Sequence, residues 1–381
     1  MSYGFSHSFF SSFGQTFFIA FYVGYIQDSL NISNTKFGSL YAIATLVGSF
    51  TLSHMGEWLD KTSAKTFSLF VLIGLICAAT LIGLSTNLWI LTAGLLLIRL
   101  FGQGLCSLVG STTMAKLFKK NRGKALAISG LGHPIGEMLL PSFAALLLGY
   151  FTWRQTWFIN AGIIFVVFGS LILFFGQNLR GEIELPSAST KLNRFQLIFD
   201  KRFFLLIPTS IMNAFVLTGV FFHQSFILEQ NGWSLKLMAS AFIAFGVSRF
   251  IFSLVSGDLI DRISSFKLIK FYLIPLLLGV LSLLVIKHPV GAFIYLFLCG
   301  ISVGFSSNLF ANIWSEIYGV EKLGAVRGLH GTFGVVSTAV SPPLLGYMID
   351  QGASLQSFVF TLVVFIIVSY SLLFLHPHVK K

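Results

Sequence analysis

Charged residues are scarce in this chain. Asp, Glu, Lys and Arg make up 10% of its 381 residues, whereas soluble domains carry about 25%. Hydrophobic residues supply 55%, and Phe alone occurs 43 times. Because so few charges cannot coat a water-exposed globule, we expect most of the surface to face lipid. The loops then have no room for a soluble catalytic domain.

Cysteine is also rare, and signatures of enzymes are missing. Cys77, Cys106 and Cys299 lie in apolar runs without the spacing of a metal site or a disulfide framework. We find no nucleotide-binding loop, paired catalytic carboxylates or nucleophile triad, so neither an enzyme nor a cofactor is expected. The N-terminus lacks a basic region and a cleavage site, which favours the start of a span over a removable signal peptide.

Long apolar runs are abundant. A spanning helix needs roughly 20 apolar residues, and the longest polar interruption, 177–202, predicts a linker between an N-terminal bundle (1–176) and a C-terminal bundle (203–381). The sequence therefore predicts an all-α membrane protein with twelve transmembrane helices in two pseudo-symmetric six-helix bundles. The predicted spans are 9–28, 37–55, 66–86, 89–115, 124–149, 155–176, 203–224, 237–257, 267–286, 289–313, 325–347 and 354–376.

The net charge of +12 is unevenly distributed. If both termini are cytoplasmic, 19 of the 25 Lys and Arg residues fall in inside segments and four in outside loops. Basic loops of membrane proteins stay in the cytoplasm. The asymmetry predicts a multi-pass protein with both termini cytoplasmic, and it explains the basic charge without nucleic acid as a partner.

Two loops after predicted spans share the pattern Gly-x-x-x-Asp-Lys/Arg at an offset of 201 residues. Such a repeat indicates duplication of a six-helix unit. The glycine permits close approach of another helix, and the charged pair can bind helix termini in one of two conformations. A plain loop with a solvated charge pair is the alternative. The residues of this candidate gate are Gly56, Asp60 and Lys61 in the first half and Gly257, Asp261 and Arg262 in the second.

An arginine inside the eighth predicted span is the candidate for holding an anionic substrate. Ionisable groups at membrane depth are costly unless they face a cavity or a partner. The guanidinium of Arg249 could bind a carboxylate through two hydrogen bonds. The alternative is a structural arginine bound to backbone or to Asp258.

Three further ionisable residues are candidates for proton coupling: Glu137, His133 and Arg99. Glu137 follows His133 by four residues, which places both on one face of a helix. A carboxyl group in a low-dielectric site can carry a proton near neutral pH. A fixed pair between Glu137 and Arg99 is the alternative, and His133 could instead form a hydrogen bond between helices.

Polar side chains inside the predicted spans mark candidate walls of a substrate cavity. Ser, Asn and Gln also join helices by hydrogen bonds, so packing is the alternative for each. The substrate-binding candidates besides Arg249 are Gln15, Asn213, Asn308, Asn312 and Ser337.

The loop pattern at Gly56, Asp60 and Lys61 resembles the signature of the major facilitator superfamily. Arg99 with Gly102 and Gly104 is similar to the arginine motif in the fourth helix of that superfamily. The resemblance covers the whole chain and implies a transporter that works by alternating access.

Several stretches are similar to bacterial monocarboxylate porters and oxalate–formate antiporters, among them Arg99 to Leu105 and Thr218 to Gln224. This resemblance implies a proton-coupled carrier of a small organic anion, with Arg249 where carboxylate is bound. We expect a monomer in the bacterial inner membrane. Efflux of drugs or metabolites, nitrate carriage, and a transporter-like sensor without transport are the alternatives. No metal is expected.

Overall fold

The computed structural model describes residues 1–118, 120–176 and 197–379, with the side chains of Ser53, Glu57, Asp60 and Val320 outside the description. The chain is helical throughout this part, and long helices follow one another with short connections. We number them α1 Ser2–Leu30, α2 Asn34–Lys61, α3 Ala64–Gly83, α4 Leu88–Leu117, α5 Arg122–Leu148, α6 Trp153–Gly176, α7 Lys201–Phe222, α8 Leu235–Ile263, α9 Ile274–Val285, α10 Val290–Gly319, α11 Glu321–Asp350 and α12 Leu355–Leu373.

Ten of these helices are long and apolar enough to cross a membrane. The predicted all-α membrane fold is thereby confirmed. The other two are α2, which is interrupted by polar residues such as Ser49, Thr51 and His54, and α9, which has 12 residues. Both stand where the second and ninth spans were predicted.

The chain divides into two compact units, Met1–Leu185 and Pro186–Lys381. Unit 1 contains α1 to α6 and unit 2 contains α7 to α12. The boundary falls within the predicted linker, of which 177–196 lies outside the described residues. The predicted domain limits at 176 and 203 therefore stay a prediction.

Polar side chains cap the N-termini of many helices. Each accepts a hydrogen bond from a backbone N–H of the first turn, which would otherwise have no partner. At α6 the cap is reciprocal, because Gln155 also accepts from the backbone N–H of Thr152. The capping residues are Ser33, Ser63, Asn87, Thr152, Asp200, Ser234 and Ser354.

Helix α1 is broken in its middle. It runs as an α-helix over Ser2–Phe10, tightens to a 3₁₀ turn over Ser11–Gly14, and resumes at Thr16–Leu30. Between these segments Gln15 is extended, with φ −86° and ψ 152°. An extended residue ends the backbone hydrogen-bond series, so carbonyl groups before it need partners from elsewhere. Broken helices in transporters commonly lie at binding sites.

The break in α1 lies against a widened stretch of α4. Residues Ile98–Cys106 of α4 form a π-helix, a form that often occurs at functional sites. A Cβ atom on Gly14 would overlap the amide nitrogen of Gln103 and the carbonyl oxygen of Ile98, and one on Gly102 would overlap Gly14. The two backbones touch here because both helices carry glycine.

Gly14→Ala is expected to destabilise the protein by about 1–3 kcal/mol, the usual cost of overpacking. The obstructing atoms belong to backbone, which cannot move aside as a side chain can. Thermal unfolding in detergent measures the effect. Gly162→Ala is the control, because a Cβ there meets no atom within 4 Å. Equal melting temperatures for the two variants would contradict the contact.

Unit 2 is held together by polar contacts between helices. The Asn213 amide donates to the Ser302 carbonyl oxygen at 3.2 Å, and the Ser302 hydroxyl lies 2.9 Å from the Asn213 Oδ1 atom. The Ser341 hydroxyl donates to the carbonyl oxygen of Phe215 at 2.7 Å. Such bonds between membrane helices contribute about 0.6–2 kcal/mol each. They fasten α7 to α10 and α11.

The contact between α8 and α10 depends on two glycines of α10 four residues apart. A Cβ on Gly300 would overlap the Ser248 hydroxyl, and one on Gly304 would lie 2.7 Å from the Arg249 carbonyl oxygen. Small residues at this spacing allow two membrane helices to approach closely. The approach brings α10 directly against the backbone that carries Arg249.

The segment after α12 folds back on unit 2 through two imidazoles. The rings of His376 and His378 stack on Phe266, with centroids 6.0 and 5.2 Å away. His376 is fully buried. Burial and, to a smaller extent, the neighbouring His378 lower the pKa of His376 to about 4, while Asp200 opposes the shift. The docked segment therefore requires a neutral His376.

Acidification is expected to release this segment. Since the pKa of His376 rises from about 4 when docked to its ordinary 6.5 when undocked, docking is fully stable above about pH 6.5 and weakens progressively down to about pH 4. Hydrogen–deuterium exchange of residues 374–379, corrected for intrinsic rates, measures the release. In the control His376→Phe, which keeps a ring but cannot be protonated, exchange should be independent of pH. Exchange in the native chain that is unchanged at about pH 5 would refute the prediction.

Candidate functional site

Arg99 lies at the break of α1. It is 3% exposed. Its Nη1 donates to the carbonyl oxygen of Gly14 at 3.0 Å, and its Nε donates to the Thr45 hydroxyl at 3.1 Å. The guanidinium carbon lies 4.8 Å from the centre of the Tyr41 ring, whose hydroxyl is 2.6 Å from that of Thr16. The arginine thus supplies a partner to a carbonyl before the break and joins α1, α2 and α4.

One nitrogen of this guanidinium has no hydrogen-bond partner. Nη2 of Arg99 is buried and unsatisfied within the described part of the chain. The partners of Arg99 there are Gly14, Thr45 and Tyr41, and none of them is acidic. The fixed pair of Arg99 with Glu137 does not form in this conformation.

Glu137 and His133 lie together, as their spacing predicts. Nδ1 of His133 is 3.4 Å from Oε1 of Glu137, and the side chains are 25% and 4% exposed. The imidazole also approaches the ring of Phe17 in α1, with centroids 6.0 Å apart. Just before them, α5 is interrupted at Leu131. Pro134 has no N–H to offer the carbonyl of Gly130, which favours this interruption. A buried carboxyl beside a half-exposed imidazole can pass a proton.

Arg249 is half-exposed on α8. The alternative partner considered for it, Asp258, is instead bound by Arg262 on the same helix, at 3.1 and 3.2 Å. Both members of that pair are exposed, so it contributes about 0.3–0.5 kcal/mol. The backbone of Arg249 lies against Gly304.

The position that holds an arginine in one unit holds a glycine in the other, which the sequence motifs alone did not reveal. With the repeat offset of 201, Gly48 corresponds to Arg249, and Arg99 corresponds to Gly300. A Cβ on Gly48 would lie 3.8 Å from that of Arg99, and a Cβ on Gly300 would lie 3.2 Å from the amide nitrogen of Arg249. In unit 1 the glycine is on α2 and the arginine on α4, whereas in unit 2 the arginine is on α8 and the glycine on α10. The repeat offset in the sequence could have identified this exchange.

The polar wall candidates differ in their surroundings. Asn213 is engaged by Ser302, as described above. The Asn308 amide donates to the carbonyl oxygen of Ser253 at 2.7 Å and to the Ser256 hydroxyl at 2.9 Å. Asn312 reaches the carbonyl of Asn308 only at 3.5 Å, and the Ser337 hydroxyl bonds within its own helix to Gly334 at 2.9 Å. Asn213 and Asn308 therefore join helices in this structure, and a role of either in substrate binding stays a prediction.

Gln15 differs from the other wall candidates because it is half-exposed at the break of α1. Gln103, which sequence reasoning did not single out, is half-exposed on the π-helical part of α4 beside it. The signal for Gln103 is its position four residues after Arg99. The described residues contain no group of three or more His, Cys, Asp or Glu that could hold a metal ion.

Among the described residues, no close helix contact forms at the glycines of the candidate gate. A Cβ on Gly56 or Gly257 meets no atom within 4 Å in the described structure, because both glycines lie on open faces near the ends of their helices. The Asp60 side chain lies outside the described residues. Lys61 and Asp261 are exposed, and Arg262 is paired with Asp258. A gating role for the charged residues stays a prediction.

Parts of this chain are similar in sequence to known proteins. The chain is 26% identical over 299 residues to "Efflux pump radE" of Floropilus chiversii, covering 68% of this chain and 53% of that protein. It is 23% identical over 193 residues to "Multidrug resistance protein MdtG" of Proteus mirabilis (strain HI4320), covering 51% and 47%. The chain therefore spans about half the length of the curated relatives it matches.

Solved transporter structures share the fold. A bacterial homolog of the human lysosomal transporter Spinster, inward-facing and occupied, gives a TM-score of 0.76 at 14% identity, covering 98% of this chain and 95% of that one. The nucleoside transporter NupG gives 0.73 at 15% identity, covering both chains fully at 100%. Residues 5–342 match the Major Facilitator Superfamily. With a family match of that extent and the shared fold, this chain belongs to the Major Facilitator Superfamily of multi-pass membrane transporters, which are not enzymes.

Proposed function

We propose that this chain is a proton-coupled secondary transporter of a small, monocarboxylate-like organic anion, working by alternating access. We place it as a monomer in the bacterial inner membrane with both termini in the cytoplasm. The observation that carries the proposal is the set of ionisable groups within the spans. Unit 1 has Arg99 on α4 and unit 2 has Arg249 on α8, and unit 1 adds the buried Glu137 beside His133.

The charges of these groups suit an anion and a proton. Arg249 is half-exposed and can offer two parallel hydrogen bonds to a carboxylate. Glu137 can bind a proton in a low-dielectric site and release it where water enters. A cycle that loads both ligands on one side and unloads both on the other uses the proton gradient to move the anion.

Flux measured in proteoliposomes tests this function. A thermal-stabilisation screen against mono- and dicarboxylates selects the substrate, and its uptake is then followed with and without an inward proton gradient. We expect uptake without ATP that increases with the gradient. Binding without flux would support the sensor alternative.

Drug or metabolite efflux is the second candidate, favoured by the names of both curated relatives. An efflux carrier would move lipophilic compounds outward and would not be stabilised by carboxylates. Transport of a lipophilic dye from proteoliposomes, with no carboxylate flux, would replace the anion proposal with this one.

A further inference from the structure

Three residues whose polar side chains have unmet hydrogen-bonding capacity belong to the contact between the break of α1 and the π-helical part of α4. Nη2 of Arg99 is buried without a partner. Gln15 is the extended residue of the break, and its side chain does not cap the helix that follows. Gln103 lies on the touching stretch of α4. Within the described residues neither carboxamide forms a hydrogen bond.

The backbone contact holds these groups together. Gly14 precedes Gln15, accepts a hydrogen bond from Arg99, and lies against the amide nitrogen of Gln103. Arg99 and Gln103 are four residues apart in a π-helix, whose turn is wider than the about 3.6 residues of an α-helix. Residues four apart therefore lie on nearly the same face of the helix, which places Gln103 about one turn after Arg99 on α4.

The chemistry of the set favours an anion. Arg99 cannot lose its charge, its partners are not acidic, and a buried cation without a counter-charge is costly. Tyr41 and Thr45 hold the guanidinium in place, so its free N–H is oriented in advance. Each carboxamide adds two N–H donors. Both glutamines are half-exposed, whereas Arg99 is buried.

We propose that Arg99, Gln15 and Gln103 form an anion-binding subsite in unit 1 that receives the carboxylate of the transported molecule. As a carboxylate site it rests on the proposed function, but anion binding can be tested by itself. Arg249 in unit 2 is not part of this subsite.

Binding of two probes, lactate and nitrate, to purified protein in detergent tests the subsite. Gln103→Leu and Gln15→Leu each remove donors without touching the Arg99 contacts. Losing a hydrogen bond to a charged group should raise the dissociation constant by about tenfold or more. Arg99→Lys keeps the positive charge but loses the two parallel N–H donors of the guanidinium, so it should weaken binding further. If this variant does not fold, the glutamine variants alone test the subsite. Gln356→Leu, an exposed position on α12, is the control and should bind as the native chain does.

The outcomes separate this inference from the proposed function. If lactate is transported and both glutamine variants bind it with native affinity, the subsite is refuted and the function stands. If nitrate binds, and more weakly in both variants, the subsite stands even where the flux assay finds no carboxylate transport and so refutes the proposed function. If the native chain binds neither probe, the subsite is refuted, and the flux assay decides the function separately.

Discussion

Glu137→Gln should abolish accumulation of the substrate on a proton gradient while leaving exchange of substrate for substrate intact. The amide keeps the size of the carboxyl and its place beside His133, but it cannot release a proton. With one proton per substrate, a gradient of one pH unit can support about tenfold accumulation. The variant should therefore stop near equal concentrations on both sides, measured as uptake of labelled substrate in proteoliposomes.

Glu229→Gln is the control for this experiment. Glu229 is exposed on the short helix Gln224–Asn231 after α7, and its amide should accumulate substrate as the native chain does. If the Glu137 variant still concentrates substrate on the gradient, another group carries the proton.

Arg249→Ala should remove the thermal stabilisation that a bound carboxylate provides, without unfolding the protein. Truncating one partner of a hydrogen-bonded charge pair costs about 2–5 kcal/mol, which weakens binding at least about thirtyfold. The side chain is half-exposed, so its loss leaves no large cavity. The measurement is the melting temperature as a function of carboxylate concentration.

Lys236→Ala is the matched control, because it removes an exposed cation from the same helix. It should retain the full ligand-dependent shift. An unchanged shift in Arg249→Ala would exclude Arg249 from the site, and Arg99 would then be the candidate guanidinium for the carboxylate.

Local patterns predicted much of the fold. The fourth predicted span, 89–115, corresponds to Leu88–Leu117, and the fifth, 124–149, corresponds to Arg122–Leu148. Apolar runs of this length have only one way to satisfy their backbone in lipid, which is to form a helix. The four-residue spacing likewise placed His133 beside Glu137.

Interactions between distant helices were not predictable in the same way. The break at Gln15 depends on Arg99, which is 84 residues away in sequence and supplies a partner to the Gly14 carbonyl. The sequence does not show that Asn213 and Asn308 form hydrogen bonds with Ser302 and Ser253 on neighbouring helices. The glycines of the candidate gate look suited to a close contact, yet no described atom comes near them.

The sequence by itself determined that this chain is a bundle of membrane helices with two related halves and a few ionisable groups at depth, since hydropathy, charge distribution and repeats are properties of the linear chain. Tertiary structure decided which of those groups have unmet hydrogen bonds. That depends on which helices touch, and here glycine pairs such as Gly14 with Gly102 bring backbones together and leave one nitrogen of Arg99 without a partner.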